Sequence, residues 1–308
     1  MIAARPPGLG TMTLTGGYGP VDPPRAAAVL AHAVEQGVAL VDTADAYIGG
    51  EELVASVREA YPDHPFRVVT KVGLTGRPGQ RLACGQPGHL RRACEASLRR
   101  LGSERLDILL LHRVDPDVPL EISMSALSDL VAVGKVAEVG LCTSDPELLR
   151  RAAVAAPVSY VQAAMSVLEP AAAEELLPTA RDLGITLLAF SPLGRGLVAA
   201  DRDPSSLPVD DARAYIPEVA GVSRSRAEDF RRLAEHLGAS PVDLALGWLT
   251  SLGPGVVPIP GARSREQVTQ TLGAQRRSLS LHERRAIEAF VRTISDSEGA
   301  PEPTVLDR

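Results

Sequence analysis

Short apolar runs alternate with longer amphipathic runs that close on glycine, and this rhythm runs through nearly the whole chain. It constrains the fold more than any other feature. The apolar runs are Gly8–Leu14, Val38–Thr43, Phe66–Lys71, Leu106–His112, Ala137–Cys142, Ser159–Ala163, Ile185–Phe190 and Gly255–Pro260. Each is apolar at both parities, as parallel strands covered on two faces must be. The intervening segments carry helix signals. Asp22 and Asp145 precede Pro23 and Pro146 as N-caps, and Ser240 precedes Pro241. The periodic segments Pro87–Leu101, Leu120–Val133, Ala171–Leu183 and Ser225–Leu237 end at Gly102, Gly134, Gly184 and Gly238. Repeated strand–helix units connect with right-handed crossovers. The expected fold is therefore α/β, a closed (β/α)8 TIM barrel, with an open doubly wound sheet as the alternative. Such barrels reach the length of this 308-residue chain as one unit, so residues 1–308 read as a single domain.

Three stretches depart from the rhythm. Leu74–Gly88 is a loop rich in glycine, proline and arginine, and Gly194–Val222 is a long loop carrying Pro204, Pro208 and Pro217. A loop as long as Gly194–Val222 in a compact domain is usually functional or disordered. The tail 295–308 is polar and reads as loose. The formal charge of −6, with no basic run, argues against nucleic-acid binding. No apolar stretch approaches the roughly 18 residues of a membrane span. The start MIAARPPGLG has no apolar signal core, and the three cysteines lack disulfide-framework or zinc-ligand spacing. A cytoplasmic protein with reduced thiols and no metal is the expectation. Gly8-Leu9-Gly10 lacks the third glycine of a dinucleotide fingerprint, and Gly134-Lys135 is followed by Val136, so there is no Walker loop. Zincin HExxH and hydrolase GxSxG motifs are absent too.

In a barrel, chemistry gathers at the C-terminal ends of the strands. Here the second apolar run ends on Asp42, the third on Lys71 and the fourth on His112, and Tyr47 follows Asp42 by five residues. Of the 32 basic residues only Lys71 and Lys135 are lysines; the rest are arginines. A lysine kept against that habit, at the end of a buried strand, suggests a compact ammonium put to chemical use. Taken singly, Asp42 could be a helix cap, Tyr47 a loop aromatic, Lys71 an ion-pair partner and His112 a core histidine. Together on adjacent strand ends they can act on one point. An ammonium beside a phenol is expected to lower its pKa, a carboxylate keeps the ammonium charged, and an imidazole can hold a carbonyl oxygen. Such a group protonates an alkoxide as it forms, which is what carbonyl reduction requires.

The segment Gly37-Val38-Ala39-Leu40-Val41-Asp42-Thr43-Ala44-Asp45-Ala46-Tyr47 resembles the signature of the aldo-keto reductase superfamily. Leu111-His112-Arg113, Gly134-Lys135-Val136, Phe190-Ser191-Pro192-Leu193-Gly194-Arg195-Gly196 and Val257-Pro258-Ile259-Pro260-Gly261 follow in that family's order. The resemblance implies a barrel that binds NADP(H) without a Rossmann domain. It implies a catalytic tetrad of Asp42, Tyr47, Lys71 and His112, with Tyr47 as general acid. Ser191, Leu193 and Arg195 would lie along the pyrophosphate. Arg263, Ser264, Gln267, Gln270 and Thr271 would face the adenosine end, with Arg263 on the 2′-phosphate.

This chain also departs from the family pattern. Cys142-Thr143 stands where Ser-Asn usually holds the nicotinamide carboxamide, although Gln162, the third contact, is kept. Phe190 takes the place of the usual Tyr or Trp under the ring, and Thr271 that of an adenine-binding Asn. The implied activity is NADPH-dependent reduction of a small-molecule aldehyde or ketone by direct hydride transfer. The segment Leu74–Gly88 is similar to a bacterial branch that includes pyridoxal reductases. With aromatics at only 3% of the chain, a polar substrate is favoured over an aromatic one. A cofactor-binding regulatory subunit and a biosynthetic reductase with a specialised substrate are the alternatives. The motifs leave the oligomeric state open.

Overall fold

Eight parallel strands form one sheet in strict sequence order. In this computed structural model the described residues are 7–77, 80–200, 211, 213 and 222–295. The strands are β1 Gly8–Gly10, β2 Leu40–Asp42, β3 Arg67–Val72, β4 Leu106–Leu111, β5 Val136–Cys142, β6 Val158–Ala164, β7 Thr186–Phe190 and β8 Val256–Pro258. The first strand lies beside the eighth as well as the second. Gly10 bridges Gly261, and its N–H donates to the Pro260 carbonyl at 3.0 Å. The sheet therefore closes, and the open doubly wound alternative is overturned. Glycine is required at this seam, because a Cβ on Gly8 would stand 2.7 Å from the Pro258 oxygen.

Helices α1 Pro23–Glu35, α2 Gly50–Ala60, α3 Pro87–Arg100, α4 Leu120–Ala132 and α5 Pro146–Ala155 wrap the first half. In the second half come α6 Leu176–Asp182, α7 Val222–His236, α8 Pro241–Ser251, α9 Arg265–Arg276 and α10 Leu281–Ser295. The expected caps are in place: Asp22 accepts from Arg25 N, Asp145 from Glu147 N and Leu148 N, and Ser240 from Asp243 N. Among the described residues no helix is long and apolar enough to cross a membrane.

The alternating parity of each strand divides the core in two. Leu40, Val69, Ile108, Leu110, Leu188 and Ile259 fill the barrel interior. Val41, Val68, Val72, Leu109 and Leu111 face outward against the helices. Asp42 shares the inward parity of Leu40, and Lys71 that of Val69. The parity that packs the barrel thus also aims the polar strand ends at its mouth.

Several boundaries differ from expectation. The first run stops at Gly10 and turns into a 3-10 segment, Met12–Leu14, where Leu14 N–H donates back to the Thr11 carbonyl at 2.7 Å. The expected helix Ala171–Leu183 is two pieces, Ala171–Glu174 and Leu176–Asp182. The Pro178 ring collides with the carbonyl four residues back, that of Glu174, and forces the break. The loop Leu74–Gly88 contains a small antiparallel hairpin, Leu74–Thr75 with Leu82–Ala83. Most of the long loop after β7 and all of the tail beyond residue 295 lie outside the described residues.

Candidate functional site

Asp42, at the end of β2, and Lys71, near the end of β3, are 4% and 1% exposed. Lys71 Nζ lies 2.7 and 2.8 Å from the two Asp42 carboxylate oxygens and donates to the Thr43 carbonyl at 2.7 Å. Burial opposes the lysine's charge, but Asp42 and Tyr47 outweigh it and hold its pKa above the ordinary value. The ammonium is fixed, charged and unable to swing away.

Tyr47 lies in the turn between β2 and α2, its ring centroid 5.1 Å from Lys71 Nζ. The sequence expectation was a phenol with a lowered pKa. The structure corrects this: burial pushes the Tyr47 phenol up to about 12, and the lowering influence of Lys71 is the smaller effect. Burial wins because the ammonium's charge is already largely answered by Asp42, while the phenolate would lose much of its water. The phenol therefore stays protonated.

His112 follows β4 immediately, its N–H bound to the Val72 carbonyl at 2.8 Å. Its ring stands edge-on to Tyr47, centroids 6.1 Å apart and planes at 84°. Burial, then Lys71, Arg113 and Arg81, hold its pKa well below the usual imidazole value, so it is neutral. Its Nδ1 is buried without a hydrogen-bond partner. A buried polar atom left without a partner is costly and points to a ligand-binding role. The fold thus brings the three expected strand-end residues, Asp42, Lys71 and His112, together with Tyr47.

The neighbouring positions are arranged less simply. Gln162 on β6 donates from Nε2 to Asp42 Oδ1 at 2.7 Å, and Cys142 Sγ lies 3.9 Å from Gln162 Oε1. Burial pushes the Cys142 thiol up to about 12, so it is a neutral thiol. The Thr143 hydroxyl accepts from Asp145 N at 3.0 Å and so belongs to the start of α5. Phe190, half-buried at the end of β7, packs on the inner core.

The loop after β7 is wound tightly. Ser191 and Arg195 adopt φ of 51° and 53°, an uncommon conformation outside glycine. Leu193 packs against the outer core. Arg195 is 5% exposed and donates to Glu169 at 2.7 Å, while its Nε and Nη2 are buried without partners. Arg213 reaches back to the Arg195 carbonyl and pairs with Asp211 while covering the ring of Tyr18.

At the far edge, Ser264 caps α9 through Gln267 N at 3.3 Å. Gln267 Oε1 accepts from Arg263 N at 2.8 Å, and Gln270 bonds Ser240 at 3.2 Å. The Arg263 guanidinium donates to the carbonyls of Tyr18 and Pro20. Thr271 is 3% exposed and its hydroxyl bonds the Gln267 and Val268 carbonyls. In this arrangement Thr271 serves its own helix rather than the surface.

Behind the tetrad lies a network that strand-end reading missed. Glu51, 1% exposed on α2, accepts from Thr70 Oγ1 and Arg100 Nε, each at 2.5 Å. Asp45 packs nearby, pushed up to about 6 by burial and then by Glu51. Glu51 follows a Gly-Gly pair in the sequence, but no pattern marks it as a buried acid. α2 itself begins at Gly50 without a side-chain cap, after Gly49 with φ 74°.

The fold and site are thus a closed parallel barrel with a charged lysine, a protonated phenol and a neutral imidazole gathered at its C-terminal mouth. A family model described as "Aldo/keto reductase family" matches residues 8–292. "Probable aldo-keto reductase 1" of Glycine max is 34% identical over 289 residues, covering 91% of this chain and 83% of that protein. Among solved structures, the glycerol dehydrogenase AKR11B4 from Gluconobacter oxydans superposes with TM-score 0.83 at 28% identity, covering 96% of this chain and 94% of that one. An aldo/keto reductase from Klebsiella pneumoniae, solved in complex with NADP and acetate, does so with TM-score 0.70 at 27% identity, covering 96% and 93%. The chain belongs to the aldo/keto reductase family and is an oxidoreductase.

Proposed function

We propose that this protein reduces a small aldehyde or ketone to the alcohol with NADPH, with Tyr47 as the proton donor. One observation carries the reading. A buried ammonium, Lys71 Nζ, is clamped by Asp42 at 2.7 Å and lies 5.1 Å from the ring of Tyr47, against which neutral His112 stands edge-on.

The residues present fit the cofactor. Buried, unpartnered Arg195 donors suit a diphosphate, and the N-terminus of α9, capped by Ser264, suits a further anion. Ser191 and Leu193 would flank the diphosphate, while Arg263, Gln267 and Gln270 would take the adenosine end. Cys142, Thr143 and Gln162 would meet the nicotinamide amide, with Phe190 beneath the ring. Thr271 would contribute through its place in the helix, since its hydroxyl is already committed.

Bound NADPH supplies the hydride to the carbonyl carbon. His112, neutral with a free buried nitrogen, orients the carbonyl oxygen by hydrogen bonding. Tyr47 donates its proton to that oxygen as negative charge develops there. Lys71 stabilises the phenolate left behind, and Asp42 keeps Lys71 in place. The test is consumption of NADPH and of NADH with a panel of aldehydes and ketones, in wild type and Tyr47→Phe. Binding of NADPH without turnover of any carbonyl would instead favour a regulatory subunit.

A further inference from the structure

One hydrogen bond at the mouth runs from wall to wall of the barrel. Gln162 on β6 donates from Nε2 to Asp42 Oδ1 at 2.7 Å, although β6 and β2 stand four strands apart in the sheet of eight. In a closed ring of eight strands no two can be further apart. Gln162 is 4% exposed. It shares the inward parity of Tyr160, which packs on the inner core, and its ladder neighbours are Cys142 on β5 and Leu188 on β7.

A carboxylate only accepts, so the amide nitrogen is the atom that faces Asp42, and Oε1 turns to the Cys142 thiol 3.9 Å away. Asp42 Oδ1 thus meets Gln162 from β6 and Lys71 Nζ from β3 at 2.7 Å each, and Oδ2 meets Lys71 at 2.8 Å. A carboxylate on a short side chain turns readily about its last bond; held from two walls it does not. Its plane sets where the Lys71 ammonium sits, and that ammonium lies 5.1 Å from the Tyr47 ring. Besides Asp42, the titratable groups at this point are Lys71, Tyr47 and the neutral Cys142 thiol, on which Arg113 also acts, with His112 beyond Tyr47. With Nε2 committed to Asp42, Oε1 is the end of the amide left for the nicotinamide.

We infer that Gln162 is a positioning residue for the proton transfer: it locks the Asp42 carboxylate from the opposite wall and, through Asp42, holds Lys71 against Tyr47. This rests on the roles of Asp42, Lys71 and Tyr47 proposed above. It gives Gln162 a task separate from any contact with the cofactor, carried by the other end of the same amide. Without the strut, Asp42 is oriented by Lys71 alone, and the ammonium that must stabilise the phenolate is less firmly placed.

The experiment measures kcat against pH in wild type, Gln162→Met and Gln162→Glu, at saturating NADPH and with the carbonyl reduced fastest. NADPH affinity is followed by fluorescence, and folding by circular dichroism. Gln162→Met keeps the bulk and deletes the donor. A hydrogen bond to a charged group corresponds to roughly 10–100-fold, so kcat should fall by about that factor. Gln162→Glu keeps a donor only while its carboxyl is protonated, and burial beside Asp42 raises that carboxyl's pKa. Its kcat should approach wild type at acid pH and fall as pH rises, a limb that wild type and Gln162→Met lack. Wild-type kcat in Gln162→Met, a change confined to NADPH affinity, or a Gln162→Glu loss equal at every pH would overturn the inference while leaving carbonyl reduction standing. If Gln162→Met does not fold, the pH profile of Gln162→Glu decides alone. If wild type reduces no carbonyl, the proposed function fails, and the lysines decide the positioning separately. Labelling lysine Nζ with nitrogen-15 marks only Lys71 and Lys135. Faster proton exchange at the Lys71 ammonium in Gln162→Met, with Lys135 unchanged, supports the strut; unchanged exchange at Lys71 overturns it.

Discussion

At the scale of single residues, the site turns on the pair Lys71 and Tyr47. Tyr47→Phe keeps the ring and deletes the donor, so kcat for carbonyl reduction should fall by roughly 10²–10⁴-fold with NADPH affinity little changed. Fluorescence titration of NADPH alongside turnover separates the two. Lys71→Arg is the sharper test, because this chain uses arginine almost everywhere else. The wider guanidinium would pair with both Asp42 oxygens and draw away from the phenol. The variant should fold, bind NADPH and lose on the order of 10²-fold in kcat. Wild-type rates in a folded Lys71→Arg protein would make the lysine merely structural. The placement of Asp42, Lys71 and His112 at adjacent strand ends was legible because strand-end position and charge scarcity are written in the chain, and Tyr47 followed from its spacing after Asp42. The direction of the Tyr47 shift was not, because it depends on how much water the fold removes.

Among the elements, the β2–α2 turn and strand β5 are the most informative. Burial and Glu51 hold Asp45 up to about 6, above the ordinary 3.8. A carboxyl raised on folding favours the fold while protonated; that contribution is complete below the unfolded value and is lost as pH rises through about 6. Asp45→Asn cannot ionise, so its Tm should rise relative to wild type between about pH 4 and pH 7. A difference constant across that range would place the effect elsewhere. On β5, a Cβ at Gly140 would lie 2.0 Å from the Tyr160 carbonyl oxygen of β6. Gly140→Ala must part the two strands, which should cost about 3 kcal/mol or more in denaturant unfolding. Elements with capping residues, such as α1 and α5, were readable at their starts. The start of α2 at Gly50 and the interruption at Glu175 were harder to read, since one lacks a capping side chain and the other arises from a proline three residues downstream.

For the molecule as a whole, closure is the decisive event, and Gln275 fastens it. Gln275 Nε2 donates to the Gly8 carbonyl at 3.0 Å, and Oε1 accepts from Gly8 N at 2.9 Å, all buried. Gln275→Ala would strand both backbone groups, each worth about 1–3 kcal/mol when left unpaired. Unfolding in urea should show that loss, and NADPH affinity should fall with it if the β1–β8 seam supports the adenosine edge. By itself the sequence determined the repeating strand–helix order and the polar residues that end the strands, because these rest on local periodicity and capping; which parity faces the barrel interior only the fold showed, since the strands are apolar at both. Only the tertiary structure decided that the sheet closes, that Glu51 and Arg100 meet behind the tetrad, and that Gln162 reaches Asp42. It also decided that burial outweighs the ammonium at Tyr47. Each of those depends on distances and lost hydration between segments far apart in the chain, which no local pattern of residues can encode.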